Sequence, residues 1–421
     1  MHFMIKCLSV KLWAGAYMSE IKLTRNLKLS VLFFVVQAIL DLFFATFFVS
    51  FIMHLSSNQI LSVSTYKLFE YIATCVGFFA IAGWCKRRNP KVVFALKQVP
   101  QILLLVLILF LQERVVDYIV PLGMLYGVGR AMYFLPMHKI VDNDTNANNL
   151  ARFTGVKNAC VYLVKIVAPV ILGFFIDTNS YTEMAYVMFT VTLLECVFIF
   201  MLKSPTHHNA LPINYGAFLK CVSRFPIMRQ FFFMKVLRGF SMGMLGTIIT
   251  MYTVYMFHTN LNLGIFTTVF AICSVLASWA FGRLGHRRHH VTVMWTCVCM
   301  LLLAVSLVVY DTTPLTFLIY SFVYSTAVVL IECISYFSVF ALSHSECISK
   351  DHKTEFFVLR DFALFIGRWM CLICLMYIGY FGGYSSLRWF LLLITLAIAL
   401  YGILQIRISH YLRHRVHPDA Q

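Results

Sequence analysis

Roughly twelve apolar stretches, each long enough to cross a bilayer as a helix of ~20 residues, follow one another along this 421-residue chain. Hydrocarbon offers the backbone no water, so a chain patterned this way folds into helices that satisfy their own hydrogen bonds. The stretches run near 30–54, 66–84, 92–111, 116–138, 155–176, 183–202, 231–257, 263–282, 291–310, 314–342, 356–382 and 387–407. Only 12% of the residues are charged and 61% are hydrophobic, whereas a soluble domain is roughly 25% charged. The pattern therefore predicts an all-α polytopic membrane protein with no soluble domain left over.

Lys and Arg fall on every second connection. One set holds Lys86, Arg87, Arg88 and Lys91, then Lys139 and Arg152, then Lys203, Lys220, Arg224 and Arg229, then Arg283, Arg287 and Arg288, then Lys350 and Lys353. The alternate set holds only Lys67, Arg114 and Arg388. Cytoplasmic loops retain basic residues, so both termini are expected in the cytoplasm, beneath a plasma or inner membrane. The net charge of +17 is scattered over these loops rather than gathered on one face. That points to topology and anionic lipid headgroups, and away from a nucleic-acid partner. The thirteen cysteines lie mostly in apolar spans, and Cys371 with Cys374 has no second pair nearby. No metal site and no cofactor is expected. The sequon at Asn143, Asp144 and Thr145 falls in an inner loop and should be unused. Residues 1–17 carry no cleavable-signal pattern, and Met18, Ser19 and Glu20 read as a natural start.

The longest inner connection contains Pro205, Pro212 and Pro226 and divides the spans six and six. The expected organisation is a tail at 1–29, a six-helix bundle at 30–203, a cytoplasmic linker at 204–230, a second bundle at 231–407 and a tail at 408–421. The fourth span reads Gly123, Met124, Leu125, Tyr126, Gly127, Val128, Gly129, Arg130, an arginine amid glycines. The fifth carries Pro169 and Gly173, and Gly282, Arg283, Leu284, Gly285, His286, Arg287 and Arg288 follow the eighth. Together these resemble the fourth-helix segment, the exporters' fifth-helix motif and the short basic loop of the major facilitator superfamily. Gly282 stands where that loop usually has an aspartate. The first-half counterpart, Gly83 to Arg88, also lacks the acid. The resemblance implies twelve transmembrane helices in two six-helix bundles, with the first and fourth helices lining a central cavity. Gly123 with Gly127, and Gly239 with Gly243, are expected as helix-packing contacts.

Charges near the bilayer centre cost roughly 2.5–3.5 kcal/mol on insertion scales and call for partners or an aqueous cavity. Depth along the helices suggests three pairs: Asp41 with Arg130, Lys165 with Glu195, and Glu332 with Arg368. Asp41 and Arg130, on cavity-lining helices, are the expected proton-coupling pair, with Glu332 and Arg368 as a second. Tyr126 and Tyr133 share one face of the fourth span, and Tyr252 and Tyr255 could meet them from the other half. Arg360, Asp361, Arg283 and Arg287 are candidate gating residues. Glu70 reads as a solvated interfacial acid, and Lys97 as a residue snorkelling to the headgroups.

No Walker-type loop appears, so the expected function is secondary transport of a small molecule by alternating access, coupled to protons. Export of small amphipathic compounds by a monomeric antiporter is preferred over uptake of sugars or metabolites. A membrane enzyme would need clustered His, Asp or Glu at one face, and His286, His289 and His290 stand among arginines. A non-transporting sensor on the same fold is the remaining alternative. The topology predicts that single cysteines at Asn146 and Asn209 label only from the cytoplasm, and one at Thr312 only from outside. Outside labelling at Asn209 would overturn it.

Overall fold

A computed structural model of the chain describes residues 24–87, 89–144, 150–202, 215–216, 224–284, 290–343 and 353–416. Every element among them is helical. Eleven segments are long and apolar enough to cross a membrane, and one of them, Pro90–Val141, folds back and crosses twice, which makes twelve crossings. The first half contains α1 (Arg25–Leu55), α2 (Gln59–Arg87), α3 (Pro90–Leu96 and Gln98–Leu111), α4 (Ile119–Asp144), α5 (Leu150–Thr178) and α6 (Tyr181–Phe200). The second contains α7 (Pro226–Phe240 and Met242–Phe257), α8 (Asn260–Leu284), α9 (His290–Tyr310), α10 (Pro314–Ser343), α11 (Lys353–Phe381) and α12 (Gly383–Val416). An even number of crossings puts both termini at one end of the bundle, here the terminal end. The opposite end is the distal one.

Local chemistry sets the breaks. Side-chain oxygens of Thr24, Asn89 and Ser180 accept amide hydrogens at the starts of α1, α3 and α6. Pro100 cannot donate to Leu96, and α3 breaks at Lys97 within that turn. Gln112, at φ 47, ends α3 and begins the 3-10 turn Gln112–Tyr118 that leads into α4. At the terminal end, Lys91 Nζ donates to the carbonyls of Phe200 and Leu202, and Lys139 Nζ to that of Cys85. Lysines in the first turn of α3 and near the terminal end of α4 therefore grip the carbonyl ends of α6 and α2, where the helix dipole favours cations.

The two halves repeat one packing scheme. In the first, α1 packs on α5, α2 on α4 and α3 on α6; in the second, α7 packs on α11, α8 on α10 and α9 on α12. The halves meet where α2 crosses α11 and α5 crosses α8. Glycines carry the closest approaches: a methyl group at Gly123 or Gly127 would strike the α2 backbone at Tyr66 or Glu70, and one at Gly239 would strike Leu364 on α11. Gly173 and Gly264 do the same between the halves, against Asn260 and Pro169. Most of the 204–230 connection lies outside the described residues; Tyr215 within it packs edge-on against Phe79 of α2.

Two sequence expectations change here. Lys97 does not reach the headgroups. At the α3 break its Nζ lies 2.8 Å from both carboxylate oxygens of Glu195 on α6, with both side chains buried. Lys165, the expected partner of Glu195, is exposed on α5 with its Nζ 5.8 Å from the Tyr162 ring centroid. The depth estimate placed the right acid but the wrong base, because α3 packs on α6 more extensively than α5 does. Breaking a buried pair leaves an uncompensated charge, so Glu195→Gln should destabilise the bundle by about 3–5 kcal/mol, and Lys97→Met with Glu195→Leu should recover most of it. Thermal unfolding in detergent measures both; an undiminished melting temperature for Glu195→Gln would contradict the pairing.

Candidate functional site

Midway along α1 the helix loses its regularity. Asp41 is followed at once by a π-helical turn, Phe43–Phe47, before α-helix resumes at Phe48. Such bulges cluster at functional sites because they re-aim side chains and weaken the hydrogen-bond ladder. Asp41 is half-buried. Its Oδ1 accepts from Gln37 Nε2 at 2.9 Å and from the Tyr126 hydroxyl at 2.8 Å. The Tyr126 ring lies 4.6 Å from Phe44 in the π turn and 5.8 Å from the Arg130 guanidinium centre.

Arg130 itself does not bond Asp41. Its Nη1 lies 2.5 Å from Glu70 Oε1, and Lys67 Nζ lies 2.8 Å from Glu70 Oε2. Glu70 is wholly buried rather than solvated at an interface, because α2 begins at Gln59 and not near residue 66, which carries Glu70 toward the membrane centre. Lys67, counted from the sequence among the connections, is buried with it. Lys67, Glu70, Arg130 and Asp41 thus form a cluster of two bases and two acids from α1, α2 and α4. Glu70 is locked by two cations, and Asp41, half-buried like Arg130, is the acid that bonds neutral donors only.

In the second half, Glu332 pairs with Arg238 of α7 at 2.7 Å rather than with Arg368. Arg238 escaped the sequence analysis, although its place in the last turn of Pro226–Phe240, three residues before the α7 break, marks it. Lys235, one turn earlier, is fully buried and lies 3.5 Å from Ser335 Oγ and 4.9 Å from the Phe231 ring centroid. Arg368 lies over Tyr71 of α2, 4.6 Å from guanidinium centre to ring centroid. Arg360 pairs with its neighbour Asp361 at 2.6 Å, both partly exposed. The side chain of Arg283 and the whole of Arg287 lie outside the described residues.

The tyrosines divide. Tyr126 belongs to the Asp41 cluster, whereas Tyr133 is buried among Phe33, Phe94 and Lys97. Tyr252 and Tyr255 pack against Tyr384, Tyr255 with its ring centroid at 3.8 Å. That places them at the distal end, where the halves are tied together. Tyr384 donates to Gln59 Oε1 at 2.8 Å, and Asn58 Nδ2 donates to the Gly379 carbonyl at 2.9 Å. Asp177 of α5 accepts the backbone amides of Asn260 and Leu261, capping α8 from the other half. Asn260 Oδ1 in turn accepts from Ser50 and Tyr181.

A family model for the Major Facilitator Superfamily matches residues 29–353. Among solved structures, the chain is similar to a bacterial homologue of the iron transporter ferroportin in an inward-facing state, with 12% identity, a TM-score of 0.61 and coverage of 91% of this chain and 97% of that one. It is similar also to the human organic anion transporter MFSD10 (TETRAN), with 12% identity, a TM-score of 0.60 and coverage of 90% and 99%. No curated protein sequence matches it significantly.

The charge cluster yields a ranking. Glu70→Gln leaves Lys67 and Arg130 facing one half-buried acid and should destabilise the fold by about 3 kcal/mol or more, read as a lowered melting temperature in detergent. Asp41→Asn keeps the bonds from Gln37 and Tyr126 and leaves Arg130 on Glu70, so it should cost under about 1 kcal/mol. The opposite order would show that Asp41 and not Glu70 holds the cluster together.

Proposed function

The chain belongs to the major facilitator superfamily, a family of secondary transporters, and on that premise we propose that it moves a small amphipathic molecule by alternating access, coupled to protons at Asp41. The reading rests on one observation. Asp41 is a half-buried carboxylate beside a π turn, bonded to neutral donors alone, within a cluster whose other acid is locked between Lys67 and Arg130. A proton arriving there removes one negative charge from a balanced cluster and weakens the Tyr126 and Gln37 bonds that hold α1 at its least regular turn. Helix movement and proton binding then bias one another.

Substrate binds between the halves at this depth, and the halves rock about the α2–α11 and α5–α8 crossings. The hydrogen bonds of Asn58, Gln59, Asp177 and Asn260 act as the distal gate. Both termini lie in the cytoplasm, the distal end faces outside, and Arg360 with Asp361 stands on the cytoplasmic route. Export in exchange for protons is the direction favoured by the Pro169 and Gly173 motif of α5. Uptake together with protons is the second reading, favoured by an arginine without an acid, considered below. The two solved neighbours are named for unlike cargo, iron and organic anions, so cargo is a matter of side chains rather than fold.

In proteoliposomes with an imposed pH gradient, Asp41→Asn should abolish uphill transport, a loss of tenfold or more, while substrate exchange without a gradient survives. Asn preserves size and hydrogen bonding but binds no proton. If Asp41→Asn still concentrates substrate, the coupling residue is elsewhere, with Glu332 the next to test.

A further inference from the structure

We infer that the site between the halves takes the anionic headgroup of an amphipathic organic molecule, a carboxylate or sulfonate, on Arg368; the inference rests on the transport reading above and names the chemistry of its cargo. Arg368 stands near the midpoint of α11 (Lys353–Phe381). Arg130, Arg238 and Arg360 each hold a carboxylate, on Glu70, Glu332 and Asp361. Among the described residues Arg368 holds none, and its Nε is buried without an acceptor. Its centre lies instead against two rings, Tyr71 at 4.6 Å and Phe365 at 5.5 Å. Ring faces stabilise a cation by about 0.5–2 kcal/mol but satisfy none of the guanidinium's in-plane donors, which match a carboxylate or sulfonate.

The neighbouring backbone is shaped for the same occupant. α7 breaks at Ser241, and its second segment, Met242–Phe257, begins beside the arginine, adding the positive end of a helix dipole. Any side chain at Gly243 would come within 2.9 Å of Arg368 Nε, so glycine gives the guanidinium its place. One turn on, Gly246 meets no atom within 4 Å, leaving room on the same face. Lys235 adds a second cation bonded to no carboxylate among the described residues, toward the terminal end. The walls are flat and apolar: Trp369 stacks on Phe365 at 6.5 Å and meets Phe362 edge-on at 6.3 Å. A charged head on an aromatic body fits these surroundings, and a cation does not.

Thermal unfolding of the purified full-length protein in uncharged detergent tests this with 2-naphthoate, 2-naphthalenesulfonate, 2-naphthamide and 2-naphthylmethylammonium. The two anions should raise the melting temperature and the amide and ammonium should not. Arg368→Met should keep the ligand-free melting temperature and lose the response, and Arg368→Lys should weaken binding tenfold or more. Equal stabilisation by the amide, no response to either anion, or an undiminished response in Arg368→Met would overturn the assignment. Should Arg368→Met not fold, the wild-type contrast between acid and amide still decides. Counterflow of labelled 2-naphthoate in proteoliposomes separates the two readings: binding at Arg368 without movement would sink the transporter and leave the anion site standing.

Discussion

An ion in hydrocarbon has no solvent to turn to, and the interior of this bundle is organised by that demand. Most of its buried charges are matched by a charge from a neighbouring helix. Lys97 reaches Glu195 across α3 and α6, and Arg130 reaches Glu70 across α4 and α2, while Arg238 meets the more exposed Glu332 across α7 and α10. Such pairs add little net stability over apolar packing, yet each is costly to break, so they fix helix register more than they strengthen the fold. Where register is fixed this firmly, the groups left outside the pairing stand out. Asp41 in the first half, and Arg368 and Lys235 in the second, are among those that the pairing leaves over among the described residues.

The repeated packing explains how a bundle so fixed can still move. Each half is tied internally by the same helix pairings, whereas among the described residues the halves meet mainly at the α2–α11 and α5–α8 crossings, with a smaller contact of α1 on the second segment of α7 and the distal hydrogen bonds. Exchanging the halves maps one crossing onto the other, as a rocking motion about a central axis requires. At α5–α8 the closest approaches are between backbones, at Gly173 and Gly264, with Thr268 Oγ1 donating to the Ile166 carbonyl across the same interface. The distal ties are polar. Asp177 neutralises the amide end of α8, a bond that water can replace once the end opens, so opening costs far less there than it would in an apolar core.

Much of this was legible in the chain. Apolar length gave the crossings, because a bilayer enforces span length more strictly than a soluble core does. Gly123 with Gly127 and Gly239 with Gly243 do mark close helix contacts, Gly243 against the side chain of Arg368. The charge pairs were legible as a set but not as partners. Depth counted from a span's edge is only as good as the edge, and α2 begins at Gln59, before any strongly apolar run. That shift hid Glu70 and Lys67, three residues apart on one face. Depth also carries no information about azimuth: Glu195 lies level with two lysines, and only the packing of α3 on α6 chooses between them. The π turn after Asp41 left no signal in composition, since Phe43, Phe44 and Phe47 suit an ordinary helix equally well.

Asp41 and Arg368 have opposite signs, and on the proposed reading this bears on the direction of transport. Tyr71 packs beneath Arg368 on one side, and Glu70, one residue earlier on the same helix, bonds Arg130 in the Asp41 cluster. Were Asp41 to take a proton as proposed, that cluster would carry a net positive charge and attract an anion on Arg368, each ligand then favouring the other. Ligands that help one another bind tend to cross together. Exchange needs the reverse, each ligand displacing the other, and a cationic or neutral cargo competing with the proton would meet that condition. The anionic headgroup proposed for Arg368 would thus favour the second reading, co-movement with protons, over the exchange that the α5 motif suggests, and a cargo found to be neutral or cationic would restore exchange.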